Sequence, residues 1–470
     1  MLDFDIAGVV LSECHRVEMT HRAMRDESMK RKKILLIKPR ATSGLWGIDV
    51  FKVLPQSLMN LGSLVVEHCH DWDVEVIDNN FEEIPHEVDA DLVGITMNTS
   101  QAVRGYRIAD ALRNNGVPVI VGGVHPTYCP EEAAKHADSV IMGEAEEIFP
   151  EVLNDFANNN LKASYAGGIL HDLSLIPKQD YSLFDKYNYY ITNVVQATRG
   201  CPIRCDFCSV TQFNGAKVRL RPIEDVLEAI QNIIRNGKRH LGRRGIFFFA
   251  DDNVFINKKY AKELFTAMIP LNVRWATQSS IYIARDKELL ELAYRSGCRA
   301  LLIGFESIHQ ESLNQINKKY HVNEYAEMIN RIHQVGIQVD ASIIFGFEHE
   351  APSIIQDTVD FLIENEVELA QFSILTPYPG ADYHKKMDEE GRIIHQDWNK
   401  YDQFHMVTDH PSWPVEKLNE ELLNAYRKFY SYSSIFQRIK RLFFKKAHYG
   451  IMTAIMNLQY RAFNPNKDQD

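Results

Sequence analysis

The sequence is poor in cysteine, with seven in 470 residues. That excludes a small secreted scaffold built on disulfides. No apolar run approaches the roughly 18 residues of a membrane span. There is no basic surplus, since the formal net charge is −11 and the pI 5.9. Nucleic-acid binders usually carry a basic face, so no nucleic-acid partner is expected. Residues 1–30 lack the basic start of a secretory signal and carry acids at Asp3, Asp5 and Glu13. A reducing, cytoplasmic location follows, at most peripheral to the inner membrane face. With 45% hydrophobic and 24% charged residues, the chain reads as two or three globular domains.

The few cysteines are unevenly placed. Cys201, Cys205 and Cys208 fall within eight residues, as C-x3-C-x2-C. Thiolates are soft ligands suited to iron–sulfur clusters or zinc. On a four-iron cubane, three cysteines leave one iron open to a small molecule. A structural zinc knot is the alternative, but it wants a fourth ligand, and no further Cys or His lies within twelve residues on either side. The preceding Val194–Ala197 reads as a strand that Gly200 and Pro202 break into a loop. A βα-barrel places its chemistry in such loops. Cys14, Cys69, Cys129 and Cys298 are scattered and read as free thiols.

Along the chain, residues 1–30 show no period and are expected to be a disordered leader, with Met29 as an alternative start. Over 31–157 strands alternate with helices: Ile34–Ile37, Val74–Asp78, Leu92–Thr96, Val119–Gly123 and Val140–Met142, with helices such as Ala102–Asn114. That order predicts an α/β, Rossmann-like, doubly wound parallel sheet. Ligands on such a sheet sit at the strands' carboxyl ends. The candidate loops there are Pro39–Gly47, Asn98-Thr99-Ser100 and Gly122-Gly123-Val124-His125-Pro126. Residues 158–192 read as a linker whose Tyr187, Tyr189 and Tyr190 pack on the next domain. A second series spans 193–390, with strands Val194–Ala197, Gly245–Ala250, Trp275–Gln278, Ala300–Gly304, Val339–Phe345 and Gln371–Leu375. Six βα units make a partial barrel, open on one side. Residues 391–470 form an aromatic connector (Trp398, Tyr401, Phe404, Trp413) and an α-helical extension. The connector is expected to close the open side of the barrel over substrate. In the extension, Ile435, Phe436, Ile439, Leu442 and Phe443 recur at helical spacing, opposite Arg438, Lys440, Arg441 and Lys445. Such a helix either lies on an anionic membrane or docks on its own domain with the basic side solvated. The last residues, Asn464–Asp470, read as disordered.

The cysteine motif and its setting resemble the radical SAM superfamily. Gly122-Gly123-x-His125-Pro126-Thr127 and Gly143-Glu144-x-Glu146, in the preceding α/β domain, are similar to the cobalamin-binding domain of one large subfamily. The resemblance covers about residues 33–390 and implies three cofactors: a [4Fe–4S] cluster on Cys201, Cys205 and Cys208, S-adenosylmethionine (SAM) on its open iron, and cobalamin. It assigns Phe207 to shielding the cluster and Asp251 and Asp252 to the SAM ammonium. Gln278 and Ser280 fall to its carboxylate or ribose, Glu306 to the ribose hydroxyls, and Ile344 and Gly346 to the adenine. An N-cap role is the alternative for Asp252. Asn98, Thr99, Ser100, Gly122, Gly123, His125, Gly143 and Glu144 fall on the cobalamin side. The D-x-H-x-x-G motif is absent, so no His is expected below the cobalt, and a domain that has lost its ligand is the alternative. His125 is a pocket-lining or structural residue more than a cobalt ligand. Arg199 is a neighbour of the anionic cluster or a plain surface charge. The implied activity is methyl transfer from methylcobalamin to an unactivated carbon through a 5′-deoxyadenosyl radical. The alternatives are radical cyclisation or oxidation without methyl transfer, and a non-catalytic cobalamin or metal sensor. The substrate would be a small molecule such as a lipid, tetrapyrrole or other natural product, and the electron donor a flavodoxin or ferredoxin.

Overall fold

The computed structural model describes residues 31–41, 52–236 and 245–462. The expected leader, the tail from Asn464, and most of the loop from Pro39 to Gly47 lie outside the described residues. The first domain is one parallel sheet of six strands: β1 (Lys32–Lys38), β2 (Trp72–Asp78), β3 (Leu92–Thr96), β4 (Val119–Gly122), β5 (Ser139–Gly143) and β6 (Ser164–Gly168). Their order is β2-β1-β3-β4-β5-β6. In β1, Ile34 and Leu36 enter one core while Leu35 and Ile37 enter the other. Burial on both faces explains why this strand reads as an unbroken apolar run. Helices α1 (Gln56–His68) and α3 (Phe149–Ala157) cover one face and α2 (Ala102–Asn114) the other. The strand order reverses between β1 and β3, and a crevice opens at such a switch point.

Two features differ from the sequence reading. β6 comes from inside the expected linker, where Ser-Tyr-Ala-Gly-Gly gives no apolar signal. Tyr187 and Tyr189 pack on the first domain, not on the barrel. The Tyr187 hydroxyl accepts from Asp78 N at 3.0 Å, and the Tyr189 hydroxyl donates to Asp78 Oδ2 at 2.7 Å.

The second domain holds β7 (Asn193–Val195), a two-strand ribbon of β8 (Thr198–Arg199) and β9 (Arg219–Leu220), then β10 (Ile246–Phe249), β11 (Arg274–Ser279), β12 (Cys298–Glu306), β13 (Gln338–Phe345) and β14 (Leu369–Ile374). Apart from the ribbon these form the expected six-stranded parallel sheet, ordered β14-β13-β12-β11-β10-β7. Outer helices include α4 (Ile223–Asn236), α5 (Lys258–Met268), α6 (Lys287–Ser296), α7 (Tyr325–Val335) and α8 (Ser353–Glu364); α9 (Asp382–Glu389) follows β14. Asn257 caps α5, so Asp252 is not its N-cap.

The C-terminal helices are α10 (Val415–Phe429) and α11 (Tyr432–Ala462). They finish the free edge of β14. The Tyr430 hydroxyl accepts from Ala370 N at 3.0 Å and donates to Ala370 O at 2.7 Å. Tyr426 does the same for Phe372, at 3.0 Å each way. An edge strand otherwise presents a row of unpaired backbone groups. On α11, Ile435, Ile439 and Leu442 are buried, but Phe436 is 72% exposed. The basic side expected there is only partly solvated: Lys440 is exposed, but Arg438 and Arg441 are not. Arg438 is fully buried and donates to the carbonyls of Val367, Glu368 and Phe429. Burial lowers its guanidinium pKa to about 10. Lys440 and Arg441 pair with Glu366, and Arg441 also with Glu368. The Lys445 side chain lies outside the description. Docking on its own domain wins because the segment before β14 (Glu366, Val367, Glu368) and the end of α10 (Phe429) offer carbonyls and carboxylates that need cations.

The connector also departs from expectation. Phe404, Met406 and Trp413 enter the barrel core, but Trp398 and Tyr401 enter the core of the first domain. It straps the two domains together.

Candidate active site

The cysteine loop follows β7. Arg199 pairs opposite Arg219 in the β8–β9 ribbon and closes residues 200–218 into one loop. Gly200 has φ +92°, and a Cβ there would stand 2.5 Å from the Lys217 carbonyl oxygen. Only glycine meets both demands. Cys201 N donates to Gly215 O at 3.2 Å, and Cys208 N to Cys205 O at 3.0 Å. Burial pushes the Cys205 thiol up to about 12 and Cys208 to about 11. The charges of the three sulfurs act on one another, so the thiols share one neighbourhood. Among the described residues no three His, Cys, Asp or Glu side chains converge as a single-ion site. A cubane instead takes each thiolate on a different iron. Three thiols on one tight loop fit that cluster, and loading it must release their protons.

Asp251 and Asp252 follow β10 and hold this loop. Asp251 is fully buried. Its carboxylate accepts from Ala197 N at 3.2 Å, from Thr198 Oγ1 at 2.6 Å and from Thr198 N. That removes it as a SAM contact. Burial nonetheless pushes its carboxyl up to about 7. Asp252 Oδ2 accepts from Gly200 N at 3.0 Å and Asn214 Nδ2 at 3.3 Å, and the residue stays partly exposed.

The remaining strand ends surround the loop. Gln278 is exposed on β11. Ser280 accepts from Tyr282 N at 3.2 Å and from the Tyr320 hydroxyl at 2.7 Å. Glu306 ends β12 after a register shift and has φ +63°. Such a conformation costs of order 1–3 kcal/mol for a non-glycine residue and persists only where its surroundings enforce it. What holds it is Lys318, which the sequence reading missed. Lys318 is 6% exposed, pairs with Glu306 and donates to Gly304 O at 2.8 Å. Its charge opposes the rise that burial imposes on the thiols of Cys201 and Cys205. Ile344 and Gly346 end β13, and Phe207 packs against the barrel core. Glu350 was also missed. It accepts from Ser307 Oγ at 2.6 Å and Gly346 N at 3.2 Å, tying the ends of β12 and β13 together.

The first domain offers two hollows. An apolar groove is lined by Leu36, Leu58, Ile141 and Phe149 over Gly94, Gly122, Gly123 and Gly143. A Cβ at Gly94 would stand 2.9 Å from Leu36 Cδ2, and one at Gly122 would stand 3.3 Å from Ile141 O. A floor without side chains admits a flat group, as the nucleotide tail of cobalamin requires. A second cavity of about 260 Å³ lies at the switch point, lined by Lys38, Asp78, Asn98, Ser100 and Gln101. Asn98 is exposed, while Thr99 and Ser100 are buried.

His125 faces neither hollow. It is fully buried, 3.3 Å from Glu132 Oε1, with the Trp398 ring edge-on at 5.0 Å. Burial lowers its pKa. It packs against the connector through Trp398. Glu144 points away from the groove. It meets Arg199 at 3.1 Å and Arg219 at 2.6 Å, with all three side chains at most 8% exposed. Glu146 meets Arg199 at 2.6 Å. Arg199 is thus neither a surface charge nor a free neighbour of the thiols.

Comparison with known proteins agrees with this architecture. Residues 195–362 match the radical SAM superfamily and residues 55–153 the B12 binding domain. The chain is similar to bacteriochlorophyllide d C-12(1)-methyltransferase of Chlorobaculum tepidum, 33% identical over 88% of this chain and 91% of that protein. It is 30% identical to the C-8(2)-methyltransferase of the same organism, over 84% and 90%. Among solved structures, the cobalamin-dependent S-adenosylmethionine radical enzyme OxsB, with aqua-cobalamin and S-adenosylmethionine bound, superposes with a TM-score of 0.66. That match covers 92% of this chain and 72% of OxsB at 14% identity, a likeness of fold. The chain belongs to the cobalamin-binding radical SAM methyltransferases. It is an enzyme, a C-methyltransferase for a small molecule, and its cofactors are a [4Fe–4S] cluster, SAM and cobalamin.

Proposed function

We propose that this chain methylates an unactivated carbon on a side chain of a tetrapyrrole. The observation that carries this is its 33% and 30% identity, over most of both chains, to two bacteriochlorophyllide methyltransferases. When bound, the cluster and SAM supply a carbon-centred radical and cobalamin supplies the methyl group. In this reading Cys201, Cys205 and Cys208 hold the cluster, and Phe207 keeps water from it. Asp252 takes the SAM ammonium, since Asp251 is consumed by backbone donors. Gln278 and Ser280 take its carboxylate or ribose, Glu306 the ribose hydroxyls under the grip of Lys318, and Ile344 and Gly346 the adenine. Gly94, Gly122, Gly123 and Gly143 form the cobalamin groove, and Asn98 and Ser100, which line the cavity at the switch point, serve the same cofactor. Residues 31–168 act as the cobalamin domain, 193–390 as the barrel, and 391–462 as strap and edge cover.

The electron donor in this reading is a flavodoxin or ferredoxin. A membrane contact through α11 rests on exposed apolar side chains such as Phe436 and Ile451, with the exposed Lys440 on the same helix. Unchanged liposome pelleting after deletion of residues 433–470 would remove it.

The test is a strictly anaerobic assay of the reconstituted protein with SAM, a reductant, hydroxocobalamin and a chlorophyllide-type acceptor, read by mass spectrometry. Product gaining one CH2 unit, together with both 5′-deoxyadenosine and S-adenosylhomocysteine, is expected. 5′-Deoxyadenosine without S-adenosylhomocysteine and without the gain of a CH2 unit would favour cyclisation or oxidation.

A further inference from the structure

Glu144 is the one candidate cofactor residue whose carboxylate is wholly engaged across the domain boundary. Oε1 lies 2.6 Å from Arg219 Nη2, and Oε2 lies 2.7 Å from Arg219 Nη1 and 3.1 Å from Arg199 Nη1. Oε2 also accepts from Leu170 N at 2.8 Å. Arg199 is further held by Glu146 at 2.6 Å and by Gln196 Oε1 at 2.8 Å. Burial works against the charge on Glu146 and on Arg199. Their pairing prevails, lowering the carboxyl and raising the guanidinium.

Two adjacencies give this cluster meaning. Arg199 and Arg219 are the opposed residues of the ribbon that closes the cysteine loop, so one carboxylate grips both ends of residues 200–218. Its chain neighbour, Gly143, lines the floor of the apolar groove. Gly143 has φ +84°, and a Cβ on it would stand 2.5 Å from the Gly168 carbonyl oxygen, so this segment has almost no slack. One peptide unit therefore joins the groove to the clamp on the cysteine loop.

We infer that Glu144 is a positioning residue that couples occupancy of the cobalamin groove to the geometry of the cysteine loop. A group seated against Gly143 restrains Glu144 and, through Arg199 and Arg219, the base of the loop. By linkage, an ordered loop tightens binding in the groove by the same factor. This rests on the proposed reading that the three cysteines hold the cluster.

The test uses the full chain with hydroxocobalamin as probe, titrated by fluorescence quenching with and without the reconstituted cluster. In the wild type, loading the cluster is expected to tighten hydroxocobalamin binding about tenfold, within the usual range of coupling between sites. Glu144→Gln is expected to reduce that ratio to less than about twofold. Glu146→Gln, which leaves the grip on Arg219 intact, is expected to keep most of it. A merely structural Glu144 changes stability and leaves the ratio alone. Glu144→Gln leaves an unbalanced buried cation, so Glu144→Gln with Arg219→Gln, which removes one charge of each sign, guards against misfolding. Hydrogen exchange on the wild type gives a second readout: residues 200–218 should slow when hydroxocobalamin is added to cluster-free protein. A wild-type ratio near one, an unchanged ratio in folded Glu144→Gln, or no slowing of that loop would overturn the inference. Failure of the cysteine reading looks different, as a wild-type protein that never gains the cluster's visible absorption.

Discussion

A buried carboxyl in the barrel shows how single residues carry the stability of this fold. Asp340 on β13 receives Gln371 Nε2 at 3.0 Å on Oδ2, while Oδ1 is buried without a partner. Burial pushes its carboxyl up to about 7. Asp251 and Glu350 rise to about 7 for the same first cause. In each case the folded chain holds a proton that the unfolded chain releases near the usual carboxylate pKa of about 4. Stability therefore falls as pH rises from about 4 to about 7 and levels off above. Urea denaturation at pH 5 and pH 8 should give a lower midpoint at pH 8, and Asp340→Asn should recover on the order of 1–2 kcal/mol at pH 8. An equal midpoint at both values would contradict this. The cysteine triplet was legible because its signal is local. Arg219 and Glu350 were not, because their side-chain partners are remote in sequence, and Lys318 was not, because its twelve-residue separation from Glu306 fits no helix or strand period. Arg219 meets Glu144 from 75 residues away, and no window short enough to show a pattern contains both. Asp251 misled because a pair of acids at a strand end looks the same whether it faces ligand or backbone.

Among elements, β3 and β14 matter most for what they leave open. β3 places Gly94 mid-strand under the groove. Gly94→Val suits the strand backbone but fills the floor, so hydroxocobalamin binding should weaken by at least tenfold, about 1.4 kcal/mol. The cluster's absorption and iron content should stay at wild-type values, and equal affinity in a titration would exclude the groove as the cobalamin site. β14 has its edge finished by hydroxyls. Tyr430→Phe strands Ala370 N and O, at a cost of about 1–3 kcal/mol, measurable as a lower unfolding midpoint. Both sheets were readable from alternating apolar runs and helix periods. β6 was not, since a Gly-rich strand is recognisable only by the neighbour it pairs with. The polarity of α11 was misread because periodicity finds a cationic stripe without saying whether water or buried carbonyls receive it.

At the scale of the molecule, two cofactor domains are held in register by a salt-linked clamp on one side and an aromatic strap on the other. Trp398 Nε1 donates to Glu132 at 3.0 Å from the far end of the chain. Trp398→Ala should release the strap, accelerate proteolytic cleavage within residues 391–413 and weaken hydroxocobalamin binding. Removing a large buried aromatic typically costs about 3–5 kcal/mol. An unchanged cleavage pattern would mean that the clamp alone suffices. The finished edge of β14 has a consequence for the making of the protein. The hydroxyls that satisfy it sit more than fifty residues further along the chain (Tyr426 and Tyr430 against Phe372 and Ala370). A ribosome extends the chain at roughly 5–20 residues per second. For some seconds, then, every nascent copy shows a bare parallel edge beside those of its neighbours on the same message. Until Tyr426 and Tyr430 emerge, that edge is open to pairing between nascent copies.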